Sequence, residues 1–86
     1  MLITTKFLGP TDIKGARIKA TNGSGKSKTT GWEYDVNVGD NHQAAAESLA
    51  NQMIKEGACS PDLWIRRWNK DGSCVHVGIY NSELKG

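Results

Sequence analysis

Apolar and polar positions in this chain follow a period of two over most of its length and change to a helical period only once. Leu2 to Leu8 is rich in β-branched and apolar residues and stops at Gly9-Pro10, where proline offers no N–H to a ladder, so a first strand is predicted there. In Ala16-Arg17-Ile18-Lys19-Ala20-Thr21 the alternation is strict. Ala16, Ile18 and Ala20 fall on one face and Arg17, Lys19 and Thr21 on the other, the pattern of a half-buried second strand. Asn22 to Lys28 is a polar, glycine-rich hairpin connection. The alternation then resumes, predicting a third strand with Trp32, Tyr34, Val36 and Val38 inward and Glu33, Asp35 and Asn37 outward. Pairing of strands two and three would set Arg17 and Lys19 against Glu33 and Asp35.

The helical segment is expected to start at an Asp40 N-cap, with Gln43 completing a capping box, and to end at Gly57. Ala46, Leu49, Ala50, Met53 and Ile54 recur at helical spacing and form its apolar stripe. Glu47, Ser48, Asn51, Gln52 and Lys55 form its polar side. After Ser60-Pro61 comes a hairpin whose register follows from its turn. Asn69-Lys70-Asp71-Gly72 suits a type I turn with Gly72 left-handed in a G1 bulge. Arg67 is then opposite Val75, Ile65 opposite Val77 and Leu63 opposite Ile79, and the aliphatic pairs are taken as the core side. The other side carries Trp64 opposite Gly78, Arg66 opposite His76 and Trp68 opposite Cys74. The expected fold is α+β, in the order β-β-β-α-β-β, an antiparallel sheet with one helix packed on one face.

Composition narrows the class. The chain has 86 residues, enough for one domain spanning residues 1–86, and it is 37% hydrophobic and 23% charged, as ordinary globular proteins are. A net charge of +2 permits a nucleic-acid partner without requiring one. Cys59 and Cys74 are the only cysteines, and with no basic start followed by an apolar run they read as thiols of a cytoplasmic protein. No stretch approaches the ~20 apolar residues that span a bilayer.

The candidate chemistry is mostly negative. Gly23-Ser24-Gly25-Lys26-Ser27 imitates a phosphate-binding loop, but the pattern after it reads as strand, where a nucleotide site needs a helix N-terminus. Cys59, Cys74, His42 and His76 lack the short-range pairs of a metal site, and no nucleophile has an implied base, so neither cofactor, metal nor catalytic residue is expected. The informative feature is the sheet face expected to be free. It would carry Trp64, Arg66, Trp68, His76 and Tyr80, joined by Arg17 and Lys19. Arginines interleaved with aromatics suit a protein-protein hot spot, and they also suit stacking on single-stranded nucleic acid. The same residues would serve equally as plain cover for a thin sheet.

The segment Ile3-Thr4-Thr5-Lys6-Phe7-Leu8-Gly9-Pro10-Thr11, followed by Gly15-Ala16-Arg17-Ile18-Lys19-Ala20, resembles the opening of small uncharacterised proteins of bacteriophages and other mobile elements. The resemblance implies an origin in such an element and assigns no activity. In size and layout the chain is also similar to small anti-CRISPR inhibitors, although no residues carry over from them. The expected function is a non-enzymatic binding protein that occludes a host protein or nucleoprotein complex, as a monomer or homodimer. A small nucleic-acid-binding protein is the alternative.

Overall fold

The computed structural model describes residues 1–81. It contains β1 (Leu2–Leu8), β2 (Arg17–Thr21), β3 (Ser27–Gly31), α1 (Val38–Lys55), β4 (Leu63–Trp68) and β5 (Cys74–Ile79). The strands form one five-stranded sheet in the order β3-β2-β1-β5-β4, antiparallel throughout. This is the α+β architecture expected from the sequence. The helix packs on one face over β1, β2 and β3 and reaches β5, so among the described residues the other face has no second layer. Ile3, Ile18 and Ala20 meet Ala45, Ala46, Leu49 and Ala50 in the core, with Met1, Trp32, Met53 and Trp64 packed around them. The alanines let the helix backbone lie close to the sheet.

Two local structures depart from the sequence pattern, both because asparagine side chains capture backbone groups. Trp32 to Val38 is not a strand. Asn41, buried in the first turns of α1, donates from Nδ2 to the carbonyls of Glu33, Val36 and Asn37, and its Oδ1 accepts from the Glu33 N–H at 2.9 Å. Satisfying these groups folds residues 33–36 into a turn and leaves Tyr34 and Val36 exposed. β3 therefore lies earlier, and Arg17 and Lys19 face Gly31 and Thr29 instead of Glu33 and Asp35. The N-cap is likewise Asn37 rather than Asp40. Asn37 Oδ1 accepts from the Asp40 N–H at 2.8 Å while its Nδ2 donates to Asp40 Oδ2 at 2.9 Å. Asp40 thus serves in the first turn, where a carboxylate favours the helix dipole. The other end is a Schellman motif. Gly57 has φ 112°, Ala58 donates to the Met53 carbonyl and Gly57 to that of Ile54.

The β4–β5 hairpin has the register its turn implied, from Leu63 opposite Ile79 to Trp68 opposite Cys74. Gly72 has φ 89°, and Asn69 N–H donates to the Ser73 carbonyl at 2.8 Å. Its faces, however, are the reverse of those expected. Pairing with β1 sets His76 beside Ile3 and Cys74 beside Thr5, and all four are buried under the helix. Trp64, Arg66 and Trp68 share that side, and Leu63, Ile65, Val77 and Ile79 take the uncovered side. Both sides of this hairpin are apolar enough to be a core. β1 decides between them, because Ile3 and Thr5 must meet α1. Gly78 is required where it stands: a Cβ there would lie 2.6 Å from Pro61 Cγ.

Candidate functional site

The expected partner residues divide between the two sides of the sheet. Arg17 and Lys19 stand on the uncovered face. Trp64, Arg66, Trp68, His76 and Tyr80 are on the helix side, for the reason just given. His76 is wholly buried and Trp64 packs against the core. Trp68 lies edge-on to the His42 ring at 4.8 Å. Arg66 Nη1 donates to the Gly39 carbonyl at 2.7 Å, and Tyr80 Oη to that of Cys59 at 3.1 Å. The aromatic and basic groups therefore do not form one stacking surface.

The uncovered face has its own composition. Alternation from the paired registers gives Leu2, Thr4, Lys6 and Leu8 on β1, Arg17, Lys19 and Thr21 on β2, and Val75, Val77 and Ile79 on β5. Leu63, Ile65 and Arg67 follow on β4. Leu2, Val77 and Ile65 lie side by side across three strands, with the Leu63–Ile79 pair next to them. Leu2 is 55% exposed, Ile65 50% and Leu63 46%, so this is a continuous apolar patch in water. Lys6 stands directly opposite Lys19, a like-charge pair that is unfavourable in an isolated sheet. Arg17 and Arg67 flank them, and none of these strand positions is acidic. A depression of about 330 Å³ lies among Thr4, Lys6, Lys19 and Thr21, with Asp71 and Ser73 of the following turn beside it. β4 is also an edge strand with an open row of backbone groups.

Beneath the opposite face lies a polar network with no local signature along the chain, since its members come from three distant elements. Thr5 Oγ1 is 2.7 Å from His42 Nδ1 and 2.8 Å from His76 Nε2. Its proton arrangement follows from the partners at the far end. Gln43 Nε2 points to Glu47 Oε1, which turns Gln43 Oε1 toward His76 Nδ1 at 3.2 Å. An amide oxygen only accepts, so His76 holds its proton on Nδ1. Desolvation, with the neighbouring His42 and Arg66 charges, lowers the His76 pKa to about 4, so at neutral pH its Nε2 is bare and accepts from the Thr5 hydroxyl. That hydroxyl has one proton. His42 must then donate from Nδ1 to Thr5 Oγ1, which leaves its Nε2 as an acceptor. Burial first and Arg66 second also lower the His42 pKa.

Among the described residues no group of three or more His, Cys, Asp or Glu side chains converges on a metal position, and Cys59 and Cys74 are free thiols, the first exposed and the second buried. The Gly23–Ser27 loop leads into β3, and Lys26 forms an ion pair with Glu56. No helix of the described residues is long and apolar enough to cross a membrane.

No protein-family model, no curated protein and no solved structure matches the chain.

Proposed function

We propose that this is a binding protein of a bacteriophage or mobile element. It works in the cytoplasm of the host cell by covering a surface of a host protein, in the manner of an anti-CRISPR or other anti-defence inhibitor, with no catalytic step of its own. The observation that carries this reading is the helix-free sheet face, where an exposed aliphatic patch adjoins Lys6, Arg17, Lys19 and Arg67, with no acidic residue at the strand positions and Asp71 of the β4–β5 turn at its margin. Its complement is a protein surface with an apolar centre and an acidic border. The repulsion between Lys6 and Lys19 would be relieved on binding such a border. The likeness of the first strands to phage proteins supports the source. The sealed Thr5 hydroxyl, bonded on both sides, supports a non-catalytic role for this interior polar cluster.

Nucleic acid is the less favoured partner because stacking rings are missing from this face: Trp64 and Trp68 are on the other side, and Leu63, Ile65 and Val77 take their place. The test is capture of a host protein by the tagged chain, with and without nuclease, alongside variants whose folding is checked by circular dichroism. Nuclease-resistant capture that is lost in Ile65→Asp, weakened in Lys6→Glu and kept in Asn51→Ala is the expected result. Capture indifferent to the face variants would overturn the reading. Nuclease-sensitive capture that fades steeply with salt would replace it with the nucleic-acid reading.

A further inference from the structure

A cavity of about 400 Å³ opens between the start of α1, β1 and the β4–β5 turn, and meets the proposed partner face at Lys6. Phe7, Trp32 and Val38 give it apolar walls, His42 is part of its lining, and the charged Lys6 and Asp71 complete it together with Gly72. Phe7 and Trp32 meet edge to face at 4.7 Å, and Trp32 is again edge-on to His42 at 6.0 Å. Phe7 remains 43% exposed and Val38 55%, although both are apolar and beside a well-buried core. These walls bear the surface of an unfilled aromatic slot rather than of a closed interior.

What distinguishes the slot from a packing defect is the histidine. His42 is 99% buried, its Nδ1 is committed to Thr5, and the ring nitrogen remaining for the cavity is Nε2. The relay from Gln43 through His76 and Thr5 removes the proton from that nitrogen and fixes the ring, so the cavity presents an oriented acceptor. Its match is a ligand that brings an N–H or O–H donor into an aromatic slot.

We propose that this cavity is a binding site for a small planar aromatic molecule of one or two rings, which lies against Phe7 and Trp32 and donates an N–H or O–H to His42 Nε2. The volume suits a bicyclic ring, and the open charges of Lys6 and Asp71 admit polar substituents at its edge. Selectivity comes from the acceptor: an apolar ring of equal size fills the slot but leaves Nε2 unpaired.

Indole and indene test this directly, since they share size and shape while only indole carries an N–H. Titration of the full chain with each, followed by nitrogen NMR of the histidine rings, should show saturable binding of indole with a displaced His42 Nε2 resonance. Indene should bind at least about tenfold more weakly and leave that resonance in place. Val38→Trp, at an exposed helix position, fills the slot from its wall and should abolish indole binding without lowering the melting temperature. Equal affinity for the two probes, indole binding that survives Val38→Trp, or no saturation at millimolar indole would each overturn the proposal.

Discussion

Acid should weaken this fold in a pH window set by two histidines, well before its carboxylates titrate. His76 has a folded pKa of about 4 against an ordinary 6.5, and that of His42 is lowered too. Both are depressed, so below 6.5 the unfolded chain takes up protons that the folded chain refuses. Stability is therefore level above about pH 6.5, falls as the pH drops, and levels again below the folded value. The His76 shift corresponds to about 3 kcal/mol at full effect, and about 2 kcal/mol once solvent near the cavity is allowed to screen it. A domain of this size is stable by roughly 4–13 kcal/mol, so the loss is a large share of the total. Glu56 and Asp71 act in the opposite range. Their pKa values are held below 4.5 and 3.8, by hydrogen bonds from Lys26 and Ser73 respectively, and their stabilisation is lost only as the pH falls through those values. The interval from 6.5 to 5 belongs to the histidines. Urea unfolding followed by tryptophan fluorescence at pH 7, 6, 5 and 4 measures the slope. His76→Gln, which keeps a polar group near Thr5 and cannot titrate, should flatten most of it. A wild-type stability unchanged between pH 7 and 5, or a His76 ring titrating near 6.5, would refute the buried neutral relay.

Other outcomes follow from the same contacts. Thr5→Val keeps the volume but strips partners from His42 Nδ1 and His76 Nε2, and should cost about 2–4 kcal/mol in chemical denaturation. Asn41→Ala releases four backbone groups of the 33–37 turn and should cost about 1–3 kcal/mol, with amide exchange accelerated at Glu33. Leu49→Ala, beneath the sheet, should lower stability by about 2–5 kcal/mol, whereas Ile65→Ala on the uncovered face should cost under about 1 kcal/mol by the same assay.

The sequence was most informative where local chemistry decides the structure. Asn69 to Gly72 dictated the hairpin register, and Gly57 the end of the helix, because each depends on a single left-handed residue and its neighbours. It was ambiguous where two patterns compete. Trp32 to Val38 alternates like a strand, yet Asn37 three residues before Asp40 is an equally good capping signal, and Asn41 settles the choice through contacts to residues 33–37. Facing of the hairpin was beyond a local reading, since Leu63-Ile65-Val77 and Trp64-Trp68-Cys74 are both plausible interiors. Only the pairing of β5 with β1 distinguishes them. The Thr5–His42–His76 relay is assembled from β1, α1 and β5, and no spacing along the chain announces it.

Methyl cross-saturation from a captured host protein onto the labelled chain locates the binding surface, because it reports which side chains the partner touches. The methyls of Leu2, Leu63, Ile65, Val77 and Ile79 should lose intensity, while those of Ile3, Ile18 and Leu49, buried under the helix, should not. Saturation centred on Ala44, on the exposed side of α1, with Ile65 and Val77 untouched, would contradict it and move the binding surface to the helix.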